Sequence, residues 1–178
     1  MAAKGFIKLL EIAERSKQRM VGLPADGQAT ETWSGIGFTL GGQHFLAAMG
    51  EVNEVLAVPR YTHVPGVKPW LKGIANVRGR LLPITDLLAY FNRRSELQEH
   101  RRRLLVIDQA DVFSGLVVDD VLGMQHFPVQ DYVSDAPEVP AELLPFVQGS
   151  FRRGDKYWAV FSLARLVEDP QFLQAANA

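Results

Sequence analysis

The stretch Trp33-Ser34-Gly35-Ile36-Gly37-Phe38-Thr39-Leu40-Gly41-Gly42-Gln43-His44-Phe45-Leu46-Ala47 decides the fold class. From Gly35 to Leu40 the residues alternate, with Ile36, Phe38 and Leu40 on one face of a strand. Gly41-Gly42 reads as a two-residue hairpin turn, because both glycines tolerate positive φ. That turn sets the register: Phe38 opposes Phe45 and Ile36 opposes Ala47.

Working outward, the β texture continues. Val52 to Val58 is a third run, bounded by Pro59, and Arg60 to Trp70 reads as a loop. Gly73 to Val77 and Arg80 to Ile84 form a second hairpin turning at Arg78-Gly79. Thr85 is then expected as the N-cap of a short helical turn, Asp86 to Phe91. Asn92 to Arg103 is polar and arginine-rich, whereas Leu104 to Ile107 is apolar throughout, as a strand covered on both faces would be. Val112 to Val121 reads as a long strand in which Gly115 marks a bulge or bend. Phe127 to Pro145 is expected to be mostly loop. The second hairpin and its helix then recur: Gly149, a hairpin around Arg153-Gly154-Asp155, and a helix from Leu163 to Val167 capped by Ser162. The echo predicts two similar lobes, small antiparallel barrels rather than a parallel α/β sheet. Ahead of all this, Gly5 to Met20 has helical spacing, with Phe6, Leu10 and Ala13 joined by Ile7 and Leu9, and Ala25 to Thr32 reads as a linker.

Composition narrows the function. The 178 residues are 47% hydrophobic and 22% charged, too apolar for a disordered chain. The net charge of -1 supplies no global field toward nucleic acid or an anionic membrane. With no cysteine, disulfides, thiolate metal sites and cysteine nucleophiles are excluded, and a cytoplasmic location is expected. No apolar run approaches the ~20 residues that span a bilayer, and the N-terminus does not read as a signal peptide. The histidines at 44, 63, 100 and 126 lack ligand spacing, so no metal is expected. The glycines from 35 to 42 lie in a strand and turn, not where a dinucleotide phosphate would meet a helix. Asp119 and Asp120 point to opposite strand faces and cannot act as a pair. Arg101, Arg102 and Arg103, with Arg93 and Arg94, could contact phosphates. Acids lie among them and no aromatic interleaves, so a solvated loop is expected, and a small-barrel nucleic-acid-binding protein is the alternative function.

Taken in order, Phe38 to Gly42, Val52-Asn53-Glu54-Val55, Trp70 to Gly79, and Pro83-Ile84-Thr85-Asp86-Leu87 resemble the CheW adaptor family of bacterial chemotaxis. Gly115 to Val121 and Phe146-Val147-Gln148-Gly149 extend the resemblance to about Glu168, most of the chain. It implies a mostly β fold of two linked five-stranded SH3-like barrel lobes around a shared apolar core, with short helices and an N-terminal helix. The divisions would be residues 1–32 (helix and linker), 33–169 (the two lobes) and 170–178 (a tail). It implies no enzymatic activity and no cofactor. Such proteins couple transmembrane methyl-accepting chemoreceptors to a CheA-type histidine kinase. They bind the receptor's cytoplasmic tip between the lobes and pair with the kinase's regulatory domain, at the inner face of the membrane. An isolated kinase regulatory domain shares the fold; the initiating methionine and the lack of ATP-site motifs point to a standalone adaptor.

Residue by residue, Val52, Glu54 and Val55 match the family's receptor-facing strand, and Arg78 the arginine of its coupling turn. Gly73 and Gly79 match glycines holding that turn's backbone, and Asp86 an acid with a structural role at the start of the short helix. Val160 to Leu166 lacks the acid often found before the last helix, which leaves Ser162 as the cap. The long N-terminal extension resembles the PilI-type adaptors of type IV pilus twitching motility.

Overall fold

The computed structural model describes residues 31–176, so the expected N-terminal helix lies outside the described residues. In chain order the elements are β1 (Thr32–Leu40), β2 (Gln43–Ala48), β3 (Glu54–Ala57), β4 (Leu71–Val77), β5 (Arg80–Asp86), α1 (Leu87–Tyr90), β6 (Arg103–Gln109), β7 (Val112–Val118), β8 (Asp120–Pro128), β9 (Tyr132–Val133), β10 (Val147–Arg153), β11 (Lys156–Phe161), α2 (Leu163–Glu168) and α3 (Pro170–Ala176). They form a six-stranded sheet, ordered β8-β1-β2-β11-β10-β9, and a five-stranded sheet, ordered β3-β6-β7-β5-β4. The described residues begin in the first lobe, build the second, and return to complete the first. The echo in the sequence is an echo in space. Hairpin β4–β5 leads into α1 and hairpin β10–β11 into α2, and the second strand of each hairpin joins its sheet by a parallel pairing, β5 with β7 and β11 with β2.

The first hairpin has the expected register, Phe38 opposite Phe45 and Ile36 opposite Ala47. Its sheet is buried on both sides. Phe38, Leu40, Phe45 and Ala47 enter a core shared between the lobes, while Trp33 and Leu46 fill the first lobe's own interior with Phe127, Phe151 and Trp158. The apolar run on β6 divides the same way. Leu105 and Ile107 join the shared core, and Leu104 and Val106 fill the second lobe with Leu82, Ile84 and Val117. Strand alternation thus feeds two cores from one strand.

Several local expectations are corrected. Thr85 is not a cap: it is the buried penultimate residue of β5, and Asp86 caps α1, its carboxylate accepting from the Ala89 N–H at 3.3 Å. Ser162 does cap α2, accepting from the Arg165 N–H. Gly115 makes no bulge, because β6 and β7 pair without a shift. A Cβ there would stand 2.9 Å from the Leu104 side chain, so glycine makes room for core packing. Gly73 lies at a close approach, not in the turn. Thr62 and Ile74 exchange backbone hydrogen bonds at 2.9 Å, closing the second barrel beyond β4, and a Cβ on Gly73 would meet the Thr62 carbonyl at 2.3 Å. β8 runs through Phe127 to Pro128 before the loop begins. The expected tail is helical to Ala176 and buries Phe172 in the shared core.

The largest correction is Arg102. Its neighbours Arg101 and Arg103 are exposed and half-buried, but its own side chain is only 5% exposed. The guanidinium donates to both Asp86 oxygens, at 2.8 and 3.0 Å, and its Nε lies 3.4 Å from Asp119. Burial works against its charge, but the hydrogen bonds and charge of Asp86, with Asp119 and Glu99 beyond, hold its pKa above the ordinary value. Asp119 in turn accepts from the Gly41 N–H at 2.8 Å and from the Ser95 hydroxyl at 2.6 Å.

Arg102→Ala leaves two buried carboxylates without their cation and is expected to destabilise the protein by about 3–5 kcal/mol. Urea denaturation of the two proteins measures the difference; a loss below about 1 kcal/mol, the worth of an exposed pair, would show the network to be dispensable.

Candidate functional site

The second hairpin ends in a turn that its sequence builds residue by residue. Arg78 has φ 54° and Gly79 has φ 81°, so both central residues are left-handed, as a two-residue hairpin turn requires. Glycine accepts this freely, whereas Arg78 holds it against its own preference. Asn76 supports the turn by accepting the Gly79 N–H at 3.0 Å. The result projects the Arg78 side chain, 74% exposed, from one end of the second barrel.

There Arg78 forms an ion pair with Glu54, the first residue of β3. Beside it, Arg80 stacks over the Phe113 ring at 3.7 Å and pairs with Asp108 at 3.1 Å. Phe113 packs against the barrel's interior cluster, and the Arg80 guanidinium lies over its outer side. β3 pairs with β6 and forms an edge of its sheet. Below this end, Tyr61 packs on the same cluster. Burial pushes its hydroxyl up to about 12, with the hydrogen bond and charge of Glu99 adding to the effect.

The structure sorts the residues chosen from sequence. Glu54, Arg78 and Gly79 come together at the barrel end. Val55 is exposed on the opposite face of β3 from Glu54, as strand alternation requires. Val52 precedes the strand and is partly buried against the shared core. Gly73 stands at the Thr62 crossing, Thr85 is buried within β5, and Asp86 and Ser162 cap the helices that follow their hairpins. Sequence reasoning passed over Arg80, Asp108, Phe113 and Leu81. Leu81 is 69% exposed, and its signal was available: with Leu82 and Ile84 inward, alternation turns Leu81 out. The arrangement can present paired charge and apolar surface to a macromolecule. The arginine run behind the nucleic-acid alternative is dismantled by the burial of Arg102.

The CheW-like domain model matches residues 34–171. The chain is 49% identical over 171 residues to protein PilI of Pseudomonas aeruginosa, covering 96% of each. It is 22% identical over 161 residues to the chemotaxis protein CheW of Helicobacter pylori, covering 90% of this chain and 96% of that one. Among solved structures, the scaffolding protein TtCheW from Thermoanaerobacter tengcongensis superposes with a TM-score of 0.66 at 23% identity, over 78% of this chain and 94% of that one.

The Glu54–Arg78 pair is too exposed to hold the fold. Arg78→Ala is expected to change the unfolding free energy by no more than about 1 kcal/mol, which thermal or urea unfolding would read directly; a larger loss would make Arg78 a structural residue.

Proposed function

The chain belongs to the CheW-like domain family, and we propose that it works as a non-enzymatic adaptor that couples a transmembrane methyl-accepting chemoreceptor to a CheA-type histidine kinase. The 49% identity to PilI over nearly the whole of both chains supports the pilus-based, twitching-motility branch of chemosensory signalling. The observation that carries the site is the charged end of the second barrel. Glu54 and Arg78 come from separate elements, are held by a strained turn, and do little for the fold.

In this reading the lobes are a rigid support and the partners bind to its faces. Apolar burial at Val55 and Leu81 supplies contact energy. The charges of Glu54, Arg78 and Arg80 set partner register and specificity. A partner that presents its own charges to this end can exchange them for the Glu54–Arg78 pair. Among the described residues no helix is long and apolar enough to cross a membrane. As such an adaptor it would sit in the cytoplasm, brought to the inner face of the membrane by its receptor.

Reconstitution with receptor cytoplasmic fragments and kinase tests this. Arg78→Ala is expected to fold normally yet lose receptor-dependent control of the kinase. Val55→Arg is expected to weaken receptor-fragment binding about tenfold or more, or at least 1.4 kcal/mol. Normal control and unchanged affinity in both variants would place the coupling surface elsewhere on the molecule.

A further inference from the structure

The lobe that does not carry the Glu54–Arg78 pair holds a cavity of about 180 Å3. It opens between the six-stranded sheet and the loop after β9. His44, Lys156 and Tyr157 line it from the sheet, and Glu138 and Val139 from the loop. Gln43 ties that loop to β2 by donating its amide N–H to the Glu138 carbonyl. The space is smaller than the ~300–1,000 Å3 of a cofactor-sized site, so it suits a small ligand.

The charge around it is unbalanced. His44 is the register partner of Trp158, and its ring lies 4.7 Å from the indole. Lys156 stands two residues before Trp158, on the same face of β11. Burial first, and then the charge of Lys156, hold the His44 pKa below the ordinary imidazole value. Among the described residues, neither ring nitrogen of His44 has a hydrogen-bond partner and the Lys156 ammonium has no ion pair. Arg153, opposite Lys156 across the hairpin, donates to the Gln125 side chain and the His126 carbonyl, both neutral. The acids facing this group are Asp155 in the hairpin turn, Glu138 in the loop and Asp120 on β8, in the row that runs through Thr39 to His44. None forms an ion pair with these cations. The second lobe's end is built the opposite way, with Glu54 against Arg78 and Asp108 against Arg80. Cations gathered without a counter-charge repel one another, and an anion set among them removes that cost.

We propose that this cavity binds a small dianion of the phosphate-monoester class between the Lys156 ammonium and the His44 imidazole. A dianion matches the fixed charges of Lys156 and Arg153, and its arrival favours a proton on His44, which then donates to it. By reciprocity, the factor by which the anion favours that proton is the factor by which the proton favours the anion. An occupant would also join the Glu138 loop to the sheet beneath it.

The full-length chain is titrated while NMR follows the rings of its four histidines, His44 being assigned by its loss in His44→Gln. Saturating inorganic phosphate is expected to raise the His44 midpoint by about one pH unit, a tenfold coupling, while His63 and His100 in the second lobe stay where they are. Lys156→Gln is expected to raise the His44 midpoint with no anion present and to weaken phosphate binding about tenfold. Lys68→Gln, at an exposed lysine elsewhere, should do neither. Glycerol 3-phosphate separates the sources of the group: tighter binding than inorganic phosphate assigns the site to an organic monoester, equal or weaker binding to the free ion. An unmoved His44, equal movement of His63 and His100, an equal shift with acetate, or phosphate binding unchanged in Lys156→Gln would each overturn the proposal. The purified chain is measured alone, so failure here leaves the adaptor reading untouched.

Discussion

Arg102 is where the two lobes are made to agree. It stands just before β6 in the second lobe and grips Asp86, which ends β5 and caps α1. Its charge also faces Asp119, which lies where the chain crosses back to the first lobe, and Asp119 accepts the Gly41 N–H in the turn of the first hairpin. One guanidinium therefore relates a strand end, a helix start, a crossover and a turn. Hydrophobic burial could hold these elements together but is indifferent to orientation. The planar fork of an arginine, meeting a carboxylate with two hydrogen bonds, is not. The network thus adds directional contacts to elements that otherwise share a single apolar core.

That core explains why so much of the fold was legible. The Phe38–Phe45 register follows from two glycines and a strand period of two, and nothing tertiary can shift it without turning phenylalanines to water. The unbroken apolar run on β6 announced burial on both faces, and it divides between the shared core and the lobe interior. The recurrence of a hairpin followed by a capped helix was visible in two stretches some 75 residues apart, because each lobe solves the same closure problem with the same local devices.

What stayed hidden has a common cause. In Arg101-Arg102-Arg103 the residue types are identical, so no local pattern distinguishes the buried one. Its burial is decided by two aspartates that lie 16 and 17 residues away in opposite directions along the chain. The cap of α1 was misplaced by one residue because Thr85 and Asp86 both suit the position. The buried arginine that also needs Asp86 settles the choice. Gly115 looked like a bend because glycine in a strand usually is one, while the Leu104 side chain that fills its empty place belongs to another strand. At the barrel end, Arg78, Gly79 and Glu54 were legible through the turn and the family pattern. Arg80, Asp108 and Phe113 were not, since their partnership exists only once β5, β6 and β7 are side by side.

The placement of the Glu54–Arg78 pair answers two demands together. β3 forms a sheet edge, and an edge invites pairing with any passing strand. A charge at its first residue, tied across to the neighbouring turn, makes that end unattractive to indiscriminate partners. The pair is exposed enough for its energy to stay within about 0–1 kcal/mol, so under the proposed adaptor role a partner that brings matching charges would replace it at little cost. A deeply buried pair in the same place would resist that exchange, as the Arg102 network does. The molecule thus keeps its strong electrostatics inside, where they fix the frame, and its weak electrostatics at the surface, where the proposed contacts with partner proteins would be made and broken.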